Sequence, residues 1–279
     1  MSVVLITGCS SGIGKVTALE FARRGDTVFA TMRDLSKGAA LHGEAAGAGL
    51  DVGLLALDVT DDASVRVAVE TVIERAGRID VLVNNAGMGA HGAVEEFADE
   101  EVLRAFDANV FGVVRLVRAV APHMRGQRSG TIINISSIAG RVATAFGGIY
   151  AGAKHALEGL SDALYYELHP FGVRVIVVEP GAFATQFSSN RLLARGSGAG
   201  SPYAALDRQF GQAMGRRPGS GQSADPQVVA TLIADIATAE GPERRYLVGQ
   251  DAQLIGTLHK QASDADFERA LRTALDFWD

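Results

Sequence analysis

The sequence has a single cysteine, Cys9, which excludes an internal disulfide framework and is typical of a reducing compartment. It also lacks an apolar run long enough to cross a bilayer. The first strand starts at once, which leaves no room for a signal peptide before Gly8. Positive charge is not in excess, because 26 Lys and Arg face 32 Asp and Glu, for a net charge of −6. These absences predict a cytoplasmic protein with no membrane span and no nucleic-acid partner.

Glycine is abundant instead, with 33 in 279 residues, as expected for many tight turns between strands and helices. Short apolar runs predict strands at about 2–7, 27–32, 52–57, 80–83, 131–136, 173–178 and 245–248. Helical patterns alternate with them at about 14–24, 35–46, 62–76, 99–124, 150–170, 226–238, 252–260 and 265–277. This order indicates right-handed βαβ units. The predicted fold is α/β, a Rossmann-like, doubly wound parallel sheet of about seven strands in a single domain, 1–279.

The first strand runs directly into a glycine-rich turn and then into a helix. This order is the layout of a dinucleotide-binding site, in which glycines let the backbone approach a pyrophosphate at the helix N-terminus. The spacing is G-x-x-x-G-x-G rather than G-x-G-x-x-G, so an ordinary tight turn is the alternative. The candidate phosphate-binding residues are Gly8, Ser10, Ser11, Gly12, Ile13 and Gly14.

Tyr150 and Lys154 are four residues apart and leave one face of a predicted helix one turn apart. An ammonium beside a phenol favours phenolate, so we expect a lowered Tyr150 pKa and proton transfer near neutral pH. The spacing alone also occurs by chance. Ser137 stands upstream, at the end of the fifth predicted strand, and completes a three-part acid/base site. Strand alternation and the step to Tyr150 favour Ser137 over its neighbour Ser136.

The residues of these motifs share one position in the predicted fold, the carboxyl end of a strand. The turn 8–14 holds this position, and so do Arg33, Asp58, Asn84, Ser137 and Pro180. Ligands of open parallel sheets bind beyond these strand ends. The coincidence is stronger evidence than any one motif, and it predicts one site for cofactor and substrate.

Together the motifs make the chain similar to the short-chain dehydrogenase/reductase family, in its single-domain branch. The matching residues keep the family order over about 2–185: Thr7, Gly8, Gly12, Gly14, Asp58, Asn84, Asn85, Ala86, Gly87, Asn109, Ser137, Tyr150, Lys154, Pro180, Gly181 and Thr185. The first turn and the segment 30–34 resemble the hydroxysteroid and retinol dehydrogenase subgroup. An epimerase or dehydratase of the extended branch fits less well, since this chain lacks its glycine spacing and its larger C-terminal domain.

The resemblance implies an oxidoreductase that moves hydride between a nicotinamide and a carbonyl or alcohol carbon. It makes Tyr150 the general acid in reduction and the base in oxidation. It has Lys154 lower the Tyr150 pKa and bind the nicotinamide ribose. Ser137 would hydrogen-bond the substrate oxygen, and Asn109 would hold a water that links Lys154 to solvent.

The resemblance also implies the remaining cofactor contacts. We expect no metal site. Asp58 would reach the adenine, although a helix-entry role is the alternative for this residue. The residues after the fourth strand would line the cofactor and steady the central sheet, and those after the sixth strand would surround the nicotinamide. The full set is Asp58, Val59, Asn85, Ala86, Gly87, Tyr150, Lys154, Pro180, Gly181, Phe183 and Thr185.

The end of the second predicted strand favours NADP(H) over NAD(H). An NAD-dependent enzyme of this kind usually has Asp or Glu there, which binds the ribose 2′-hydroxyl. Here the position is Met32, followed by Arg33, whose fork suits a 2′-phosphate. Ser11 adds a hydroxyl donor. A salt bridge to an acidic neighbour is the alternative for Arg33.

Residues 182–220, which we name the lid segment, carry apolar side chains among glycine and serine. Such a segment suits a lid over an apolar ligand, so we predict a bulky apolar ketone or secondary alcohol as substrate. Packing on the domain itself is the alternative. A helical C-terminal tail is predicted at about 252–277. His91 and Arg141 lie near the predicted site, each as a substrate contact or as a loop or surface residue.

The predicted helices 102–124 and 150–170 carry apolar residues on more than one side. The family resemblance implies dimers or tetramers built on such helices, so we expect a homodimer or homotetramer, with simple core packing as the alternative. A non-catalytic NADP(H)-binding sensor on the same fold is the other functional hypothesis. Such proteins commonly lose the tyrosine or the lysine, and both are present here.

Overall fold

The computed structural model describes residues 1–216 and 224–275. Within them lie nine strands: β1 (Val3–Ile6), β2 (Thr27–Met32), β3 (Val52–Ala56), β4 (Val81–Asn84), β5 (Ala90–His91), β6 (Gly130–Ile135), β7 (Val173–Pro180), β8 (Leu192–Leu193) and β9 (Arg245–Val248). Seven form one parallel sheet in the order β3-β2-β1-β4-β6-β7-β9. The predicted α/β fold with a parallel sheet of about seven strands is confirmed.

The same described residues form ten α-helices: α1 (Gly12–Arg23), α2 (Ala39–Gly47), α3 (Asp62–Ala76), α4 (Asp99–Phe106), α5 (Gly112–Gln127), α6 (Gly148–Leu168), α7 (Ala204–Arg216), α8 (Gln227–Thr238), α9 (Gln250–Gln261) and α10 (Asp264–Leu275). None of them is long and apolar enough to cross a membrane.

Each face of the sheet has its own core, because successive residues of a strand point to opposite faces. In β1, Val4 and Ile6 join the core under α1 and α8, where Ile233 is fully buried. Val3 and Leu5 join the core on the other face, under α3 and α5. All four β1 side chains are buried, which explains why this strand reads as a continuous apolar run.

The chain changes direction at β1, which determines where a ligand can bind. It moves outward from β1 to β2 and β3 and then returns to place β4 on the other side of β1. Open α/β sheets bind ligands at such a switch point, beyond the carboxyl ends of the strands. The glycine turn after Ile6 and the loop after Asn84 border this crevice.

The predicted helix 99–124 is interrupted in the structure. α4 ends at Phe106, a π-helical turn covers Asp107–Phe111, and α5 follows. The fully buried Asn109 lies in this turn, and its Nδ2 donates to the Ala105 carbonyl oxygen at 2.8 Å. A π-helical turn inside a helix is frequent at functional sites. Here it puts Asn109 next to the loop after β4.

The sequence pattern of the lid segment predicts irregular structure, but the segment contains a strand and a helix. It contains β8, which pairs in parallel with β5, and α7. Gly211 and Gly215 interrupt the helical pattern of α7. The helix forms because Phe210 and Ala213 are buried in a cluster with Phe146. The predicted parts at 217–220 and 276–277 lie outside the described residues.

Candidate active site

α6 presents Tyr150 and Lys154 on one face, as their spacing predicts. Lys154 Nζ lies 5.8 Å from the centroid of the Tyr150 ring. It donates a hydrogen bond to the Ile135 carbonyl oxygen at 2.9 Å, and the residue is only 5% exposed. The ammonium is therefore fixed beside the phenol at the end of β6.

The pKa of Tyr150 is raised, so the expected lowering by Lys154 is wrong for this arrangement. Burial raises the pKa of Tyr150 to about 12, and the hydrogen bond with Ser137 opposes only part of that rise. Burial also lowers the pKa of Lys154 to about 8, against the opposing charge of Glu158. Desolvation of the phenol disfavours its charged form and is the dominant cause of the rise. Tyr150 thus keeps its proton at neutral pH, which suits a proton donor.

Ser137, and not Ser136, meets the Tyr150 hydroxyl. Its side chain hydrogen-bonds with that of Tyr150, accepts from the Ala139 backbone N–H at 3.1 Å and donates to the Pro180 carbonyl oxygen at 3.4 Å. Ser136 is buried, with no hydrogen-bond partner for Oγ among the described residues. The alternation of β6 continues just beyond the strand, so Ser136 points into the core and Ser137 points toward the site.

Asn109 fastens the loop after β4. Its Nδ2 donates to the Met88 carbonyl oxygen at 2.9 Å, and its Oδ1 accepts from the Met88 N–H at 3.3 Å. A Cβ on Gly87 would lie 2.6 Å from Asn109 Oδ1 and 3.8 Å from Lys154 Nζ, so glycine is required for this approach. The carboxamide is engaged by backbone at both ends, and its proton-relay role stays a prediction.

The glycine turn between β1 and α1 leaves the helix N-terminus open. Gly8 and Gly12 have φ of +74° and +57°, which L side chains rarely adopt. Ser11 is the N-cap residue of α1 but makes no side-chain capping bond, and the first turn carries no acidic residue. The first N–H groups of α1 are therefore available for an anion. Ser10 is half-buried in the same turn, and Ile13 packs against the core.

Asn85 and Thr7 lock the turn to β4. Asn85 Nδ2 donates to the carbonyl oxygens of Thr7 and Gly8 at 2.8 and 3.1 Å. Thr7 Oγ1 accepts from the N–H groups of Asn85 and Ala86 at 3.0 and 2.9 Å. A Cβ on Gly8 would lie 2.9 Å from the Ala86 Cα. The carboxyl ends of β1 and β4 thus form one rigid wall of the crevice.

Three more predicted cofactor residues follow β2 and β3. Arg33 is exposed just after β2, and it forms no ion pair within the residues that the structure describes. Asp58 Oδ1 accepts from the N–H and hydroxyl of Thr60 at 2.9 and 2.8 Å, so its carboxylate helps to shape the entry to α3. Val59 is buried and packs on Gly112 of α5. Contact of the three with a cofactor stays a prediction.

The segment after β7 crosses the crevice back to the glycine turn. The Gly181 N–H donates to the Val248 carbonyl oxygen at 2.8 Å. A Cβ on Gly12 would lie 3.2 Å from the Thr185 side chain, so Thr185 sits over the phosphate end of the turn. Phe183 is half-buried and packs against Gly249. Pro180 and Gly181 therefore hold the predicted nicotinamide position between Ser137 and the glycine turn.

The lid segment covers Tyr150. The Phe187 ring lies 5.5 Å from the Tyr150 ring, centroid to centroid, and remains 39% exposed. Further along, His91 Nε2 lies 2.9 Å from Oδ1 of Asp207 on α7, and the His91 ring packs on Phe146. His91 thus joins the loop after β4 to the lid segment.

Sequence reasoning missed a group of buried charges behind the Tyr150 helix. Arg141 donates from Nε to Oε1 of the buried Glu179 at 2.7 Å. Glu158, also buried, accepts from Arg245 Nε at 3.0 Å. Arg141 is therefore an ion-pair partner and not a simple surface charge. The signal available in the sequence was the repeated four-residue step from Tyr150 to Glu158. In the described ranges no group of His, Cys, Asp and Glu is arranged to hold a metal ion.

The sequence is similar to those of known oxidoreductases. A family model described as short chain dehydrogenase matches residues 2–195. A 3-ketodihydrosphingosine reductase of Bacteroides thetaiotaomicron is 39% identical over 91% of this chain and 90% of its own length. Retinol dehydrogenase 8 of Homo sapiens is 38% identical over 87% of this chain and 80% of its length. The human 17-beta-hydroxysteroid dehydrogenase type 1 is 40% identical over 74% and 62%, respectively.

Solved structures of short-chain dehydrogenases have a fold similar to that of this chain. A short-chain dehydrogenase from Streptomyces avermitilis superposes with a TM-score of 0.80 and 36% identity, over 99% of this chain and 96% of that one. A metagenomic short-chain oxidoreductase in complex with NADP has a TM-score of 0.70 and 30% identity over 88% and 96%. A short-chain dehydrogenase/reductase from Burkholderia phymatum in complex with NAD has 0.79 and 28% over 96% and 95%.

Proposed function

The chain belongs to the short-chain dehydrogenase family, and from this we propose that it is an NADP(H)-dependent oxidoreductase acting on bulky apolar ketones or secondary alcohols. The observation that carries the proposal is the position of two groups at one edge of the sheet. The open N-terminus of α1 faces the crevice, and Ser137, Tyr150 and Lys154 stand together at the end of β6 and on α6. A phosphate cradle next to a proton donor suits hydride transfer between a dinucleotide and a carbonyl.

The residues present fit a nicotinamide dinucleotide. A Cβ on Gly14 would lie 2.4 Å from the Gly8 carbonyl oxygen, so the turn has the close backbone packing that a pyrophosphate cradle requires. The N–H groups at the start of α1 would bind the pyrophosphate, and Thr185 would close over it. Lys154 would bind the nicotinamide ribose. When bound, the cofactor supplies the hydride chemistry.

Tyr150 gives the substrate oxygen its proton in the proposed reduction. Its raised pKa keeps the phenol protonated, and Lys154 beside it stabilises the charge that develops when the proton leaves. Ser137 hydrogen-bonds both the Tyr150 hydroxyl and the substrate oxygen, which orients the carbonyl toward the acid. In oxidation the same groups act in reverse, and Tyr150 accepts the proton.

Arg33 supports the choice of NADP(H). Its guanidinium is exposed beyond β2 without an ion-pair partner among the described residues, so an incoming 2′-phosphate has no acidic competitor to displace. Met32 occupies the position where an acidic side chain would favour the 2′-hydroxyl of NAD, and it is buried. Ser11 lies in the facing turn.

The lid segment supports an apolar substrate. Phe187 packs over Tyr150, and the aromatic cluster around Phe146 extends the apolar wall through Tyr203 and Phe210. Retinol, hydroxysteroids and ketodihydrosphingosine, which appear in the names of similar proteins, are largely hydrocarbon. We infer a substrate of the same largely hydrocarbon class for the present chain.

We also propose self-association and a reducing, cytoplasmic setting. Leu103 on α4, Phe111 in the π-helical turn and Tyr166 on α6 are 62%, 46% and 66% exposed, which leaves apolar surface on these segments for a second copy. The only cysteine, Cys9, is fully buried. Light scattering at micromolar concentration should show a homodimer or homotetramer, and a monomer alone would contradict the assembly.

A screen for NADPH oxidation at 340 nm over apolar ketones, aldehydes and sugars tests the function, with Tyr150→Phe as the control. The substitution keeps the ring and removes the transferable proton. We expect turnover of apolar ketones to fall by about 100-fold or more, the scale of general acid catalysis, with nearly unchanged NADPH affinity. Near-normal turnover in Tyr150→Phe would refute the assignment. NADPH binding without turnover of any carbonyl would favour the non-catalytic sensor.

A further inference from the structure

Glu158 continues the spacing of Tyr150 and Lys154 by one more turn of α6. The residue is only 6% exposed, on the side of Lys154 away from Tyr150. A carboxylate is costly to bury unless charged or polar groups surround it. The partners of Glu158 come from distant parts of the chain.

These partners lie on β9, on β7 and in the loop after β6. Arg245 on β9 donates from Nε to Glu158 Oε2 at 3.0 Å, and the same nitrogen lies 3.7 Å from Oε1 of Glu179 on β7. Arg141, in the loop, donates to that oxygen of Glu179 at 2.7 Å. We name Arg141, Glu158, Glu179 and Arg245 the carboxyl cluster.

The backbone at Gly140 closes over the carboxyl cluster. A Cβ there would lie 2.7 Å from Ser136 Oγ and 3.2 Å from Glu158 Oε1. Neither of these two buried oxygens has a hydrogen-bond partner in the described part of the chain. The loop that carries Ser137, the helix that carries Tyr150 and the strand β7 therefore meet at one buried group of charges.

Within the carboxyl cluster, Glu179 is the group with a shifted carboxyl pKa. Burial and the Glu158 carboxylate raise the pKa of Glu179 to about 7, against the opposing Arg141 guanidinium. Asp162, one turn further along α6, also faces the cluster and accepts from Arg245 Nη2 at 2.7 Å. Two carboxyls that share a site do not both ionise readily, so the Glu158 carboxylate favours the protonated form of Glu179.

The pKa of Lys154 depends on the charge of Glu158. Burial lowers the pKa of Lys154 to about 8, and the Glu158 carboxylate is the charge that opposes this fall. Among the residues that the structure describes, the other groups against the Lys154 ammonium are the Tyr150 ring and the Ile135 carbonyl, with the Asn109 amide on the far side of Gly87. None of these three supplies a negative charge while Tyr150 keeps its proton.

We propose that Glu158 is a positioning residue that keeps Lys154 charged beside Tyr150, with Arg245 and Glu179 holding its carboxylate in place. The inference rests on the proposed oxidoreductase function, in which Lys154 acts as an ammonium. Removal of the Glu158 charge favours the neutral amine, and the site then loses its cation at a lower pH. The carboxyl cluster therefore sets the upper pH limit of the reaction.

Glu158→Gln in the full-length protein tests the proposal, because it keeps the size and an acceptor oxygen but removes the charge. We expect the alkaline limb of the kcat/KM profile for NADPH-dependent ketone reduction to move by about one pH unit toward acid. A second readout needs no turnover. The NADPH Kd, measured by fluorescence titration, should rise about tenfold at pH 9 and less than about twofold at pH 6.

Glu167→Gln is the matched control, since it makes the same change on an exposed position of α6 and should leave both profiles unchanged. Thermal unfolding shows whether each variant folds. Should Glu158→Gln not fold, Glu158→Asp carries the test. It keeps the charge but withdraws it by one methylene group, and a shift of about half a pH unit toward acid is expected.

A uniform fall in kcat at every pH, with an unmoved alkaline limb, would show a structural role only and would overturn the proposal. Failure of the proposed function can be distinguished from this outcome, because the wild-type protein itself would then reduce no carbonyl. In that case the pH dependence of the NADPH Kd decides. Equal dependence in the wild type and Glu158→Gln would sink the role of Glu158, as would a wild type that does not bind NADPH.

Discussion

The cofactor edge and the lid segment are built from different kinds of contact. At the cofactor edge, backbone meets backbone, and a Cβ on Gly14 would lie 2.4 Å from the Gly8 carbonyl oxygen. In the lid segment, a Cβ on Gly200 or Gly211 would meet nothing within 4 Å, and side-chain packing around Phe146 holds the segment in place. The first kind of contact admits one residue type, whereas the second admits many. Substrate preference can therefore change with little cost to cofactor binding.

Gly14→Ala should have the largest effect, because the methyl group meets both the Gly8 carbonyl oxygen and Asn85 Nδ2, at 2.4 and 2.5 Å. Relief of these contacts moves the start of α1 away from the phosphate position. We expect the NADPH Kd to rise by about 100-fold, which corresponds to the upper range of overpacking costs at about 3 kcal/mol. Fluorescence titration measures this change.

The matched control is Gly211→Ala, the same substitution inside α7 of the lid segment. Open space surrounds this position, and alanine favours a helix by about 0.5–1 kcal/mol over glycine. The melting temperature should hold or rise, with an unchanged NADPH Kd. Equal losses of cofactor affinity in the two variants would remove the distinction between the two regions.

The cofactor edge is predictable from sequence because its requirements are local. Glycines at 8, 12 and 14 and polar residues at strand ends follow one another at short range, and the hydrophobic alternation that defines the sheet fixes where they meet. The step from Ser137 to Tyr150 also predicts which serine faces the site.

Three features escape the sequence for a common physical reason. The raised pKa of Tyr150 depends on desolvation, which only the assembled fold determines. In the carboxyl cluster, Arg141 pairs with Glu179 and Arg245 pairs with Glu158, and the four-residue step that points to Glu158 does not identify these distant partners. α7 forms through tertiary packing of Phe210, despite the glycines that weaken its helical pattern.

Arg33→Ala should give the next largest effect. It tests the proposed 2′-phosphate contact separately from the glycine turn. Charge-assisted bonds to a phosphate are worth about 1.5–3 kcal/mol, so the NADPH Kd should rise by about tenfold or more. The NADH Kd should stay the same, since NADH has no 2′-phosphate. Arg66→Ala, at an exposed arginine of α3, is the control. Equal affinities of the wild type for NADPH and NADH would contradict the predicted preference.

Phe187→Ala tests whether the lid segment contributes to substrate binding but not to cofactor binding. The ring packs on Tyr150 and against Gly89, so its removal takes apolar surface from the proposed substrate position without touching the glycine turn. We expect KM for bulky apolar ketones to rise by about tenfold, in line with about 1.5 kcal/mol of lost burial, at constant NADPH Kd. Leu254→Ala, which trims an exposed side chain of α9, is the control. A loss of NADPH affinity in Phe187→Ala would mean that the lid segment also holds the cofactor.

The smallest expected effect concerns the pair that joins the lid segment to the loop after β4. His91 Nε2 lies 2.9 Å from Asp207 Oδ1, with the two side chains 19% and 37% exposed. Polar side-chain pairs at such partly exposed positions contribute about 0–1 kcal/mol, so Asp207→Ala should change the substrate KM by less than about fivefold and leave NADPH binding unaltered.

His91→Gln distinguishes this structural role from direct contact with the substrate. Glutamine keeps a donor for Asp207, and its loss of the ring contact with Phe146 is minor, so it should resemble Asp207→Ala in steady-state kinetics. If His91→Gln lowered kcat by tenfold while Asp207→Ala stayed near the wild type, the imidazole would be acting on the substrate and not on the lid segment. Equal small changes of kcat and KM in the two variants would show that His91 acts through the lid segment. It would then be one of the side-chain contacts that tolerate substitution.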